Sequence, residues 1–560
     1  MVRRILERIA APVRGLHQAA YLLAGLTLAS QALALLRDRT FAHTFGAGQI
    51  LDIYYASFRM PDLVFALVSS LVSAYVIIPR ITGADRESTR RLLSESATFL
   101  FGIGGLICVV LCIFMPQFLA FLYPSLVSSS YHDGFILLAR ILLLQPILLG
   151  LSGIFSSVTQ VHRRFMLFAI SPVLYNLGII FGTVFLYPLW GLPGIGVGVV
   201  AGAVAYLAVH IVVVAQAGVL ARLQLPKFSL MMPVIRDSIP RSLALGMKAI
   251  ILLVLTAIAS RIATGSVTVF TLANNLEAVP MALIGSSYAV AAFPALAEAS
   301  ALKHKDKFTN ILSAGSKHIV LWSLISFGLV VILRAHIVRV ILGTGAFDWN
   351  ATRLTSALLV MCMVSLFADA LELLLSRALY AARQSWMPFL YQIAAGTFTV
   401  AIAFLFLSLP APVLLAPLAA MLKVSSVPYA SILLLALAAS IGQIFLIILS
   451  LVALRKVAPG LTFSLLGPAR DGCLAAIAAG AAAYFALFVG GGIAPLTTLA
   501  AVLIQGLIAG IVGLAAAALV LHLIKNKEFQ SIVDAVEKLV HQRTHRSAIL
   551  APSAEEQIQP

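Results

Sequence analysis

Long apolar stretches alternate with short polar connections from near the N-terminus to about residue 524. Each stretch holds about 20 residues, which is enough for an α-helix to cross a hydrocarbon core of about 30 Å. The predicted spans are 18–36, 58–80, 96–122, 134–158, 165–187, 193–217, 240–262, 267–296, 311–333, 354–376, 386–409, 428–454, 471–490 and 495–524. The pattern therefore predicts an all-α, polytopic membrane protein of about 14 transmembrane helices.

The composition excludes a soluble globular protein. Hydrophobic residues make up 61% of the chain and charged residues 11%, against roughly 45–50% and 25% in soluble domains. Mean hydropathy is +1.04. The cysteines Cys108, Cys112, Cys362 and Cys473 fall inside predicted helices without the spacing of a disulfide pair or a zinc site. We interpret them as small packing residues.

Basic residues are concentrated in alternate connections. Short cytoplasmic loops of membrane proteins are rich in Lys and Arg, and 28 of the 38 basic residues lie on one side if the N-terminus is inside. This distribution predicts an even number of spans and places both termini in the cytoplasm. The net charge of +17 follows from that topology and from anionic lipid at the inner surface, so it does not indicate nucleic-acid binding.

Weak internal similarity predicts two halves. The segments around Arg163 and Arg383 are alike at an offset of 220, and those around Pro79 and Pro294 at an offset of 215. A parallel repeat of this kind predicts two six-helix lobes with a transport cavity between them. The predicted parts are an N-lobe at 1–218, a cytoplasmic linker loop at 219–238, a C-lobe at 239–424 that closes near 410–455, C-terminal helices at 425–524, and a cytoplasmic amphipathic segment and flexible tail at 525–560.

Ionisable residues inside the apolar stretches of the first lobe are few. A charge in hydrocarbon is costly, so such residues usually face a cavity or a partner. Arg37 and Asp52 border a glycine-rich turn and are either cavity groups or parts of an interfacial loop. Arg59 either faces a cavity or pairs with Asp62 to stabilise a kink.

The second lobe carries more polar groups. Lys248 either reaches a cavity or snorkels toward the inner surface. Asn274, Asn275 and Glu277 lie a turn before Pro280. Buried amides can join helices, but an acid beside a proline-broken helix favours a lined cavity.

Two further acids are candidates for ion coupling. Asp369 and Glu372 stand at i and i+3, on one face of the tenth predicted helix. Two carboxylates this close do not both ionise cheaply, so they are suited to bind a proton or Na⁺. The alternative is that they pair with Arg377.

The motifs of several enzyme classes are missing from the sequence. No stretch matches a Walker A loop, an HExxH metal site, an Asp-rich metal cluster or a nucleophile elbow. We therefore expect a transporter without a cofactor, driven by Na⁺, H⁺ or the membrane potential. A membrane-embedded lipid-modifying enzyme and a binding or scaffold role stay open as alternatives.

Three stretches carry further motifs in a definite order. The first stretch holds Leu36-Arg37-Asp38, Phe45-Gly46-Ala47-Gly48, Asp52, Phe58-Arg59-Met60-Pro61 and Ile78-Pro79. The second holds Arg164-Phe165, 169–180 and 198–203. The third holds Gly345-Ala346-Phe347-Asp348 and Arg377-Ala378-Leu379-Tyr380-Ala381. At these spacings the sequence resembles the MurJ/MviN lipid II flippase family, within the multidrug/oligosaccharidyl-lipid/polysaccharide exporter superfamily. The resemblance covers both lobes, to about residue 460.

The resemblance implies a V-shaped, two-lobed monomer in the bacterial cytoplasmic membrane. A central cationic cavity would take the pyrophosphate and sugar head of an undecaprenyl-linked peptidoglycan precursor, and the last two helices would hold the lipid tail. Membrane lipids are the other expected partners. A flippase for another polyprenyl-linked oligosaccharide, of the O-antigen or teichoic type, is the alternative.

The arginines that the family places in its cavity match this chain only in part. Arg37 and Asp52 stand at matching positions, whereas Gln31, Phe65 and Asn275 replace three family arginines. A doubly charged pyrophosphate needs cations to offset its desolvation in a low-dielectric cavity. We predict that three other cations act as substitutes: Arg59, Lys248 and Arg261. Asn274 and Glu277 are the other cavity candidates.

Overall fold

The computed structural model describes residues 16–162, 164–222, 228–455, 458, 461–493, 498–531 and 533. All regular secondary structure in these residues is helical, which confirms the predicted all-α fold class. Residues 1–15, the middle of the predicted linker (223–227) and most of the predicted tail (534–560 of 525–560) lie outside the described residues.

A long helix lies at each predicted span. The first half contains α1 (Leu16–Phe45), α2 (Gln49–Ile81), α3 (Arg86–Leu122), α4 (His132–Val161), α5 (Met166–Trp190) and α6 (Leu192–Gln216). The second half contains α7 (Phe228–Ile262), α8 (Ser266–Ala301), α9 (Lys305–Ile341), α10 (Trp349–Val364 with Leu366–Ala381), α11 (Met387–Ser408), α12 (Ile432–Leu454), α13 (Leu466–Ile493) and α14 (Leu499–Leu523).

The described residues hold 12 helices that are long and apolar enough to cross a membrane, or up to 13 if the bent α10 is one span. Helix α1 is not among them. The polytopic helical architecture is therefore confirmed, while the count of about 14 crossings stays a prediction.

Two helices begin earlier than hydropathy indicated. Helix α2 begins at Gln49 and not near 58, because Asp52 lowers the hydropathy of a turn that is nevertheless buried. Helix α3 begins at Arg86 and not near 96, since Asp85 caps its polar first turn by accepting two backbone hydrogen bonds. Hydropathy located the apolar centres of these helices but not their polar ends.

Two pairs of helices are interrupted at corresponding positions. Helix α2 contains a 3₁₀ turn at Ser69–Val72, and α8 contains a π-helical turn at Ala282–Ser286. Helix α4 is interrupted at Leu143, and α10 bends by 44° at Ser365. Each pair is separated by nearly the offset of the internal sequence similarity, and such irregular turns often mark hinges.

The helices pack in two groups that meet along α2, α7 and α8. Helix α5 packs on α1 and α6 in the first group, whereas α11 packs on α7 and α12 in the second, and α13 and α14 pack on α9. The α5–α6 contact is close, since a Cβ on Gly182 would lie 2.7 Å from the Cα of Gly198. The lobe boundaries at 218 and 239 stay a prediction.

Candidate functional site

Polar side chains of α1, α5 and α8 form one hydrogen-bonded chain. Arg37 donates from Nε and Nη2 to Oδ1 of Asp38 (2.9 and 2.8 Å) and from Nη1 to the amide oxygen of Asn176 (3.1 Å). The other carboxylate oxygen of Asp38 accepts a 2.9 Å hydrogen bond from the side-chain amide of Asn275. The structure thus brings the predicted residues Arg37 and Asn275 together through Asp38, across the two helix groups.

This polar chain pairs its one cation with one carboxylate. The side chain of Arg37 is 20% exposed and that of Asp38 only 3%, so the ion pair is largely shielded from water. A guanidinium group has five N–H donors, and three of its hydrogen bonds go to the two partners described above. Arg37 therefore keeps donor capacity for an anion that reaches it.

Asp52 occupies a fully buried position at the start of α8. Its Oδ2 accepts from the backbone N–H of Gly265 (2.6 Å), and its Oδ1 accepts from the N–H and hydroxyl of Thr268 (2.8 and 2.7 Å). Gly265 stands at the cap position of α8 with a φ of 88° and has no side chain to cap the helix. Asp52 of α2 caps α8 in its place, and so fixes the two helices together.

Several loops meet around this cap and close one end of the protein. The backbone N–H of Ala346 donates to the carbonyl of His43 (3.0 Å), and the guanidinium of Arg39 donates to the carbonyl of Val340. A Cβ on Gly46 would lie 3.0 Å from the carbonyl carbon of Ala346. The two glycine-containing motifs of the sequence are therefore in contact. We call this region, formed by residues 43–48, 263–268 and 340–347, the sealed end.

Gly345→Ala is expected to open the sealed end. Gly345 has a φ of 59°, and an added Cβ would lie 2.5 Å from Nδ1 of His43, so the substitution combines backbone strain of roughly 1–2 kcal/mol with a collision. Labelling of a Thr271→Cys reporter by a membrane-impermeant maleimide should increase. Gly83→Ala is the matched control, because its φ is 80° but nothing lies within 4 Å; equal labelling in both variants would contradict the closure.

A cavity of about 890 Å³ lies between the helix groups at the opposite end. We call this the basic end, because the connections that hold Arg80, Arg86, Lys303 and Arg383 lie there. The charged lining residues are three cations and one acid: Arg241, Lys248, Arg377 and Glu372. The side chain of Lys248 is 51% exposed, so ligands from the basic end have access to it.

Lys248 connects this cavity to acids of the second helix group. Its Nζ lies 4.0 Å from Oε2 of Glu372, and Asp369 and Glu277 act on it electrostatically. Asp369 accepts a hydrogen bond from the amide of Gln443, whereas Oε1 of buried Glu277 has no hydrogen-bond partner among the described residues. Lys248 therefore pairs with one acid, Glu372, while the carboxyl groups of Asp369 and Glu277 add negative charge to the same part of the second helix group, which favours uptake of a further cation.

The remaining predicted residues have other surroundings. Arg59 is 8% exposed, donates to the hydroxyl of Thr271 (3.4 Å) and has its Nη1 4.0 Å from Oδ2 of Asp62. Asn274 donates to a carbonyl of its own preceding turn. Arg261 is exposed near the end of α7, on the side of the sealed end, and does not line the 890 Å³ cavity.

Four residues of the site were not among the sequence candidates: Asp38, Asn176, Arg241 and Arg377. Arg241 had a usable signal, since it precedes Lys248 by seven residues and so lies on the same face of α7. Asn176 had none, because its contact with Arg37 joins residues 139 apart in sequence.

Two packed helix groups, joined firmly at one end and holding a charged cavity at the other, define a polytopic membrane transporter fold. A family model described as "Lipid II flippase MurJ" matches residues 41–493. The chain belongs to this family.

Curated relatives agree with this assignment. A protein of Rhizobium tropici named "Probable lipid II flippase MurJ" is 25% identical over 399 residues, which is 68% of this chain and 74% of that protein. "Lipid II flippase MurJ" of Burkholderia cenocepacia is 24% identical over 401 residues, 69% of this chain and 77% of that protein.

Solved structures show the same fold. A structure titled "Lipid II flippase MurJ, inward closed conformation" matches with a TM-score of 0.69 at 19% identity and covers 90% of this chain and 100% of its own. An inward-facing multidrug resistance transporter of the MATE family matches with a TM-score of 0.61 at 15% identity, over 77% of this chain and 96% of its own. At these identities the likeness concerns the fold alone.

Proposed function

We propose that this protein carries a lipid II-like precursor, linked to undecaprenyl pyrophosphate, from the inner to the outer leaflet of the bacterial cytoplasmic membrane. The observation that carries the proposal is the cationic cavity at the basic end of a protein whose other end is sealed. The positive-inside rule supports a cytoplasmic location for the basic end, and the proposal puts both termini on the same side. Alternating access would require the sealed end to open while the cavity closes. The protein acts as a transporter and not as an enzyme, and as a monomer.

The cavity supplies the cations that a pyrophosphate requires. Neutral residues stand at three positions where the family resemblance implies arginine, but Arg241, Lys248 and Arg377 line the cavity at the basic end. Charge-assisted hydrogen bonds from such groups offset the desolvation of phosphate oxygens. We propose that these three cations receive the headgroup and that Arg37 binds it at a later stage of the cycle.

Arg241→Gln/Arg377→Gln is expected to lower translocation by about tenfold to a hundredfold, since each charge-assisted hydrogen bond contributes about 1.5–3 kcal/mol and screening reduces this. The rate of headgroup appearance at the outer surface of reconstituted vesicles measures the effect. Arg383→Gln is the matched control: Arg383 is exposed near the same end but does not line the cavity. A wild-type translocation rate in the double variant would show that these arginines do not bind the headgroup.

An apolar groove offers a place for the lipid tail. A pocket of about 420 Å³ lies between α9 and α14, and its lining is almost entirely hydrophobic, with Leu333, Ile337, Leu507 and Ile511 among its residues. Helix α14 is one of the last two helices, which the family resemblance implies hold the lipid tail, and α9 forms the other wall of this pocket. An undecaprenyl chain in the groove would stay in an apolar environment while the headgroup crosses.

The acids around Lys248 are proposed to couple translocation to Na⁺, H⁺ or the membrane potential. Asp369, Glu372 and Glu277 take up the coupling cation, and Lys248 offsets part of the negative charge of the vacant cluster. Moving one charge through 100 mV is worth about 2.3 kcal/mol, which corresponds to a roughly 50-fold driving force.

Asp369→Asn is therefore expected to remove the stimulation of translocation by an imposed gradient. Vesicles would carry a Na⁺ gradient, a pH gradient or a potassium diffusion potential, each applied alone, so that the responding gradient identifies the ion. Glu298→Gln is the control, because Glu298 pairs with Lys307 on the surface, away from the cluster. An Asp369→Asn variant that keeps the full wild-type stimulation would exclude this residue.

Complementation of a flippase-depleted bacterium tests the proposed substrate. The wild-type chain is expected to restore growth, and the double variant Arg37→Ala/Arg59→Ala is expected to fail while accumulating normally in the membrane. Full activity of the double variant would contradict the role of these arginines. If the wild type itself is present but does not restore growth, the neutral residues Gln31, Phe65 and Asn275 favour another polyprenyl-linked oligosaccharide, such as an O-antigen or teichoic unit.

A further inference from the structure

A second pocket lies at the basic end of the first helix group, apart from the central cavity. It has a volume of about 420 Å³ and forms where α2, α4 and α6 end and α3 begins. Arg86, His162 and Arg164 are its basic lining residues, and no Asp or Glu is among the described residues that line it. The central cavity and this pocket share no lining residue.

The acids nearest to the pocket in sequence are engaged elsewhere. Asp85 turns its carboxylate onto the first backbone N–H groups of α3, and Glu87 forms an ion pair with Arg90. Arg164 donates to the side-chain oxygen of Gln216 at the end of α6, which holds its guanidinium at the pocket. The pocket therefore presents basic groups that an anion can approach.

An apolar stripe on α6 leads to the same place. Val204 and Val212 are 48% and 51% exposed, and with Ala208 between them they repeat at four-residue steps, which puts them on one face of the helix. Gln216 is the next member of this series and lines the pocket. A ligand with a phosphate head and a hydrocarbon chain would satisfy both surfaces at once.

We propose that this pocket binds the headgroup of an anionic phospholipid of the inner leaflet, with Arg86 and Arg164 on the phosphate and an acyl chain along the Val204–Val212 stripe. Basic pockets between helices on the cytoplasmic side recognise anionic headgroups through such cations, and arginine suits phosphate because of its fork of donors. The proposal concerns a lipid that stays bound to the transporter and does not rest on what the transporter carries.

Native mass spectrometry of the purified full-length protein tests this binding. Phosphatidylglycerol and phosphatidylcholine of equal chain length are added separately, and wild-type protein is expected to retain phosphatidylglycerol about tenfold better. Arg86→Gln/Arg164→Gln should reduce retention of phosphatidylglycerol to the phosphatidylcholine level. Arg383→Gln removes the same charge at the same end of the protein, outside the pocket, and should keep the wild-type preference.

Two further arms separate a lipid from free phosphate and binding from misfolding. Val212→Asn should weaken phosphatidylglycerol binding, and inorganic phosphate should not displace the lipid at equal concentration; the opposite results would mean a phosphate pocket and would overturn the lipid proposal. The single variant Arg86→Gln changes an exposed side chain, so it should fold even if the double variant does not. Its retention of phosphatidylglycerol should be lower than that of the wild type. Wild-type retention in a monodisperse Arg86→Gln/Arg164→Gln protein would also overturn the proposal.

Discussion

Asp52→Ala is expected to open the sealed end and to stop productive transport. The substitution leaves the backbone N–H groups of Gly265 and Thr268 buried without their acceptor, at a cost of about 1–3 kcal/mol each. A total near 3 kcal/mol changes the balance between closed and open forms by roughly 150-fold. Labelling of the Thr271→Cys reporter from outside should therefore become rapid, while headgroup translocation falls.

Controls for this prediction use the same chemistry elsewhere. Asp52→Asn keeps one acceptor oxygen and should lie between wild type and Asp52→Ala. Asp348 also caps a helix, but it accepts from Ala351 of its own helix α10, so Asp348→Ala should cost about 1 kcal/mol of helix stability and leave the α2–α8 contact intact. If Asp348→Ala labels as fast as Asp52→Ala, the seal does not depend specifically on Asp52.

Arg37→Ala is expected to lower headgroup translocation by about a hundredfold. It removes the cation of the polar chain and leaves the carboxylate of Asp38, which is 3% exposed, without a charged partner. Loss of a charge-assisted hydrogen bond to the diphosphate, worth about 1.5–3 kcal/mol, accounts for a change of up to about a hundredfold, and truncating one member of a buried ion pair also lowers folding stability. Initial translocation rates in vesicles, normalised to the amount of folded protein, measure the effect.

Two further variants test the direction of the effect of positive charge on translocation and on affinity. Arg37→Lys keeps the charge but loses the fork of donors that reaches both Asp38 and Asn176, so it should be intermediate. Asn275→Arg adds a guanidinium beside Asp38, which now accepts from the amide of Asn275, and should raise the affinity for the diphosphate. A wild-type rate in Arg37→Ala, or a loss of affinity in Asn275→Arg, would show that positive charge at this point does not serve the substrate.

Hydropathy and charge together predicted most of the fold. Every predicted span corresponds to a long helix, because the bilayer admits few alternatives to helices for an apolar chain of this kind. The interruptions at Ser69–Val72 and Ser365 were not predicted, since they depend on packing between helices and carry no proline or glycine signal of their own. The polar beginnings of α2 and α3 were not predicted for a related reason. Their polar residues form hydrogen bonds with local or distant partners that hydropathy does not register.

The sequence predicts several residues of the candidate site but not which contacts they make. Arg37, Lys248 and Glu372 stood out as charges in apolar sequence, and the structure gives each a charged partner. Asp52 also stood out, yet its partners Gly265 and Thr268 lie more than 200 residues away (213 and 216). No sequence pattern indicates a helix cap supplied by another helix, so the substrate contact expected of Asp52 stays a prediction, and its observed contact is with α8.

The proposed function of the protein depends on one property, the movement of the headgroup across the bilayer. Lipid II would be reconstituted with the purified protein in vesicles, and a membrane-impermeant reagent would report which headgroups face outward. With the wild type, the fraction of lipid II headgroups that the reagent reaches should rise under the gradient that drives transport. It should exceed the outer-leaflet share, which is the fraction that faces outward before transport begins. The Arg37→Ala variant should stay at that share over the same time. If wild-type vesicles remain at the outer-leaflet share under every imposed gradient, the proposed translocation of this precursor is contradicted.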